Sequence, residues 1–245
     1  MDACIEISPV GDCAKGAHGA IGQWDVSHVT DMSELFKGAA SFNADISNWD
    51  VSSVVYASNM FQGATSFNAD ISKWTVSRAI SMDGMFDGAT SFNADLSSWD
   101  VSSVTTMRSM FSDARSFKGD VSKWDVARVA DMASMFKEAT SFDGDISKWA
   151  VSSVTAMHDM FNGANAFSRT LCGAWTNGGA TTTDMFRGSS GGFCFGSLII
   201  DGNNFATKTD AHIGKSYLHH NSEYAFTLSQ YYRTSSENTP FVHLL

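Results

Sequence analysis

Apolar and polar residues follow two periods along this chain. Ala44 and Ile46 alternate with Asn43, Asp45 and Ser47. A period of two marks a short strand with one buried face. The period then changes. Met82, Met85, Phe86 and Ala89 stand at i, i+3, i+4 and i+7, one face of a helix of two turns. Ser81, or Thr105 with Thr106, can cap its start. Gly38, Gly63, Gly88 and Gly163 sit at its end, where a left-handed residue suits the exit. Asp113 and Glu138 replace that glycine in two units, which predicts a looser exit there.

Both patterns recur. Trp24, Trp49, Trp74, Trp99, Trp124 and Trp149 are 25 residues apart, and Trp175 follows one step late. Phe36, Phe61, Phe86, Phe111, Phe136, Phe161 and Phe186 keep the same spacing. A second Phe lies six residues after each, from Phe42 to Phe167, and then at Phe193, one step out of phase. A period this strict means stacked coils, each burying its apolar residues against the next. The predicted fold is an α/β solenoid of about seven coils of 25 residues, each a short parallel strand plus a short helix. At ~4.8 Å per coil it is roughly 30 Å long. Residues 1–20 are the expected N-terminal cap, 21–195 the repeat, and 196–245 a C-terminal cap with a partly ordered, Tyr-rich tail. Both Pro residues, Pro9 and Pro240, fall outside the repeat, as a ladder that needs every N–H requires.

The unit Ala-Asp-Ile-Ser-x-Trp-Asp-Val-Ser-x-Val-x-x-Met-x-x-Met-Phe resembles the BspA-like leucine-rich repeats of bacterial and protist surface proteins, over residues 21–190. Ala44-Asp45-Ile46 corresponds to that family's Leu-x-Leu strand core. The resemblance implies a right-handed superhelix of leucine-rich-repeat type. It also implies an adhesin or a protein-binding surface, since fold alone does not fix an activity.

Composition narrows the field. Acidic side chains number 26 against 16 Lys plus Arg, a net charge of −10. That excess argues against a nucleic-acid binder and against docking on anionic membranes. The longest aliphatic run, Leu198-Ile199-Ile200, falls far short of a bilayer span of ~20 residues. The N-terminus lacks the charged and apolar regions of a signal peptide. The expected address is extracellular or the cell surface, with a leader outside this sequence; the cytoplasm is the alternative. Cys4, Cys13, Cys172 and Cys194 lie only towards the two ends of the repeat. Cys4–Cys13 and Cys172–Cys194 bonds would staple the caps, and four cysteines allow three pairings. The alternative is four buried thiols.

Candidate chemistry is sparse. Asp45, Asp70, Asp95, Asp120 and Asp145 form one predicted outward column, flanked by Asn43, Asn68 and Asn93. The plain reading is a solvated acidic ladder, partly neutralised by Lys73, Lys123 and Lys148. The functional reading is a cation or cationic-ligand face. Ca²⁺ is a weak candidate, because no calcium-loop motif is present. Asp25, Asp50, Asp100 and Asp125 follow their Trp, with Thr75 and Ala150 in their place in two units, and read as turn formers. The Phe and Met ladders read as core. His219-His220 has no second ligand pair, and no nucleophile motif occurs, so a cofactor-free, metal-free non-enzyme is expected. The expected function is protein or glycan recognition through the face carrying the Asp and Asn columns. A structural subunit docked through the tail is the alternative, and a mineral- or ice-binding surface is third.

Overall fold

The computed structural model describes residues 11–13, 18–176 and 179–194. They belong to one unit, Met1–Cys194; a second unit, Phe195–Leu245, lies outside the described residues, and with it the expected tail and its histidines.

The coils stack in register. Single parallel bridges join Asp31, Tyr56, Ser81, Thr106, Asp131, Ala156 and Thr181 in succession, each step being 25 residues. Next to this line, alternate N–H groups point along the stack. Met32, Glu34, Phe36 and Gly38 donate to the carbonyls of Tyr56, Ser58, Met60 and Gln62 at 2.6–2.9 Å. The N–H groups between them turn inward: Leu35, Lys37 and Ala39 donate to the carbonyl three residues back. The same scheme repeats down to Gly163, which donates to Arg187 at 2.8 Å.

This alternation replaces the expected helix. An α-helix directs every N–H to the carbonyl four residues back. Here half of them serve the next coil, and the described residues contain no α-helix. The Met-Phe segment is a chain of tight turns with two left-handed residues. One is Glu34, Asn59, Gly84, Ser109, Ser134, Asp159 or Asp184; the other is the glycine position. A third turn residue with positive φ is the type II requirement. Asp113 and Glu138 hold φ of 53° and 55° beside 70–75° for Gly38, Gly63, Gly88, Gly163 and Gly188. The exit is therefore not loosened in those two coils: the stack imposes the glycine conformation on residues that resist it.

The expected strand is also displaced. Ala44 and Ile46 point inward, and Asp45 is exposed, as the alternation requires. Yet the segment forms no strand ladder in the first six coils. Side chains bridge it instead. Asn43 Oδ1 accepts the Asn68 N–H at 2.8 Å, and the Trp74 indole N–H donates to the Ile46 carbonyl at 3.2 Å. Only in the last pair does a ladder appear, where β1 (Thr170–Leu171) runs parallel to β2 (Gly192–Phe193). Cys172 and Cys194 are the next pair in that register and form a disulfide, Cα–Cα 5.0 Å. Cys13 is buried at the other end of the core, but its expected partner Cys4 lies outside the described residues.

Aromatic columns fill the interior. Within a coil, Phe61 stacks on Phe67 at 3.8 Å; between coils, Phe61 meets Phe86 at 5.6 Å and Phe67 meets Phe92 at 5.8 Å. Trp49 and Trp74 stack at 6.4 Å. Each ring buries ~150–250 Å² of apolar surface, so these columns dominate the burial. We predict that Phe111→Ala, at a fully buried side chain of a central coil, costs about 3–5 kcal/mol in urea unfolding. A loss under ~1 kcal/mol would show that the columns do not carry the fold.

Candidate functional site

The predicted Asp column is one-sided and exposed, and its members sense one another. Asp70 is among the charges acting on Asp45, and both Asp70 and Asp120 act on Asp95. Lys73, Lys123 and Lys148 offset Asp70, Asp120 and Asp145, with Arg169 adding to the last. The carboxylates are also occupied locally. Asp45 Oδ1 accepts the Ser47 N–H at 2.9 Å, and Asp70, Asp95, Asp120 and Asp145 accept from Ser72, Ser97, Ser122 and Ser147 at 2.9–3.0 Å. These are Asx turns, in which a short acidic side chain closes its own backbone two residues on.

The second Asp series does the same. Asp25, Asp50 and Asp100 accept from Ser27, Ser52 and Ser102, and Asp125 from Ala127. Asn43, Asn68 and Asn93 each lend Oδ1 to a backbone N–H of the next coil, at Asn68, Asn93 and Lys118. Asp143 takes this role for Ser168 at 2.9 Å. The repeat therefore keeps Asp, Asn and Ser at these positions because the backbone bends and joins there. Among the described residues, no three His, Cys, Asp or Glu side chains come together as a metal site.

A different face varies from coil to coil. It follows the bridge line and carries Thr30, Val55, Ile80, Thr105, Ala130 and Thr155 in one column. The next column reads Asp31, Tyr56, Ser81, Thr106, Asp131 and Ala156, and a third reads Ser33, Ser58, Asp83, Arg108, Ala133 and His158. Cross-coil contacts here are particular to single sites: Ser58 with Ser81 at 2.8 Å, Gln62 with Asp87 at 2.8 Å, Arg108 with Asp131 at 3.9 Å. Val29, Tyr56 and Ile80 are 37%, 48% and 41% exposed and are the exposed large hydrophobics among the described residues. Tyr56 and Ile80 lie on this face in the second and third coils, whereas Val29 shares the register of the inward Val54. The signal that marks it in the sequence is variation inside the repeat, whereas a search for regular columns leads to the Asp side.

Stacked coils with inward aromatic columns and an outer shell of Asx turns define a repeat protein. One family, described as "Mycoplasma protein of unknown function, DUF285", matches over residues 8–118 and again over 94–191. The chain belongs to that family. No curated protein and no solved structure matches it. No helix among the described residues is long and apolar enough to cross a membrane.

The Asx turns titrate. The Ser47 hydroxyl and then its N–H hold the Asp45 carboxyl below its ordinary value of 3.8, and matching Ser residues do so for Asp50, Asp70, Asp100, Asp120 and Asp145. For Asp95 the Ser97 N–H is the larger cause. A carboxyl lowered on folding adds stability that is complete above its unfolded value and is lost as pH falls through the folded one. We predict a melting midpoint that is level from about pH 7 to pH 5 and drops below about pH 4. Asp70→Asn/Asp95→Asn/Asp120→Asn keeps the acceptor oxygen and removes the proton site, so its midpoint will fall less steeply with acid. Identical acid slopes would remove these turns as the cause.

Proposed function

We propose that this chain is a non-enzymatic binding module of a repeat surface protein, akin to the BspA-like leucine-rich repeats that its unit resembles. It recognises a protein or glycan outside the cell or at its surface. The recognition face is the varied bridge side and not the Asp column.

One observation carries this reading. The recurring Asp and Asn side chains of the predicted column are bonded to backbone, while three adjoining columns along the bridge line change from coil to coil and carry the exposed Tyr56 and Ile80. A constant coil with a changing surface suits recognition, because hot spots need local, non-repeating chemistry. Tyr56 is the natural anchor: it is aromatic, half exposed, next to Val55 in the chain and bridged to Ser81, the neighbour of Ile80. The same columns carry charges of both signs, Asp31, Asp83, Arg108 and Asp131, which fit the polar rim of an interface. The resemblance to surface repeats and the Cys172–Cys194 bond, which persists only in an oxidising compartment, favour an address outside the cytoplasm.

Immobilised protein can be exposed to a glycan array and to extracellular-matrix proteins. Tyr56→Ala/Ile80→Ser is predicted to lose at least ~10-fold in affinity for any ligand found, as befits an aromatic anchor. Asp70→Asn/Asp95→Asn is predicted to retain binding. The reverse ranking would return the site to the Asp column, and a chain that binds nothing on either panel would sink the module reading.

A further inference from the structure

Two positions in the first six coils break a packing rule that the rest of those coils keep. The column Met32, Met82, Met107, Met132 and Met157 is interrupted by Ala57. The column Val54, Val104, Val129 and Val154 is interrupted by Ala79. Both alanines are buried, and they line one void together with Met60, Met82, Met85 and Trp74. Its volume, counted for the centre of a water-sized sphere, is about 10 Å³. By that measure it holds roughly one water-sized group. Its lining is wholly apolar, so a water there would find no partner.

The wall over the void is looser than elsewhere. Val54 and Val76 are 6% and 7% exposed, against 1% for Val104 and 0% for Val129. Val55 and Tyr56 stand between the lining residues Val54 and Ala57, and Ile80 follows Ala79. The void thus lies directly beneath the apolar part of the varied face, and no charged side chain lines it.

We propose that this void is a binding site for a methyl-terminated aliphatic group. The later coils show what fills the space: an unbranched thioether chain from the Met column and the methyls of the Val column. A ligand that restores this packing is slender and apolar. A polar one would lose its water without gaining a hydrogen bond. The four Met side chains around the void, Met32, Met60, Met82 and Met85, are unbranched and can shift rotamer, so the site can open beyond a single methyl. The site needs no protein partner and stands independently of the recognition reading.

The test is methyl NMR on the full chain with ¹³C-labelled methionine, under xenon and then under ethane. Saturable shifts are expected for Met32, Met60, Met82 and Met85, with Met132 and Met157 unmoved. Ala57→Met should abolish them, and Ala79→Val, a smaller filling, gives the same reading if Ala57→Met does not fold. No shift, a uniform shift across all coils, or shifts that survive both fillings would overturn the proposal. A response to xenon without one to ethane would overturn its assignment to an aliphatic group.

Discussion

The stack depends on how each coil divides its backbone N–H groups. From Met32 to Ala39, one N–H serves the next coil and the following one closes a turn within its own coil. That division fixes the 25-residue step, because a carbonyl must wait at the same place in every coil. It forces two left-handed residues into each Met-Phe segment. It also sets the rise that brings Phe61 over Phe86 and Trp49 over Trp74. Removing the alternation would restore a helix and uncouple the coils. Buried N–H groups without partners cost ~1–3 kcal/mol each, so the scheme admits few exceptions.

Polar residues obey the same demand. Where no backbone carbonyl is in reach, a side-chain oxygen accepts the N–H, Asn43 from Asn68 and Asp45 from Ser47, and the Trp74 indole adds a donor across the coils to the Ile46 carbonyl. Constancy of the exposed Asp and Asn residues of the column therefore reports backbone chemistry. At the C-terminal end the pattern fails in several places together. Thr170 stands where Asp45 has its copies, one residue is inserted before Trp175, and the buried Trp175 indole N–H has no partner among the described residues. The Cys172–Cys194 bond and the β1–β2 pair hold the chain at the point where the Asx turn is lost.

Two groups of departures from the repeat, set apart from single exchanges such as Asp113 and Glu138, differ in how the stack meets them. Those at the end are mechanical and are answered by a covalent bond. Those in the second and third coils, Ala57 and Ala79 inside and Tyr56 and Ile80 outside, are answered by nothing in the stack. They sit together, which is why both the recognition face and the apolar site are placed there.

Much of this was legible in the residues alone. The spacing of Trp24, Trp49 and Trp74 determined the coil length, the inward columns and the turn role of Asp25 and its copies, because side-chain burial repeats with the backbone that carries it. The glycine exit at Gly38 was legible for the same reason. The helix at Met82–Ala89 was not, since a run of turns that buries every third or fourth residue has the same apolar spacing as a helix. Only the tertiary structure decided between them, through the N–H bonds of Phe86 to Met110 and Gly88 to Ser112. It likewise decided that Asp45 and Asn43 serve the backbone, because an acceptor's partner lies across a coil or a turn and leaves no mark on the acceptor itself.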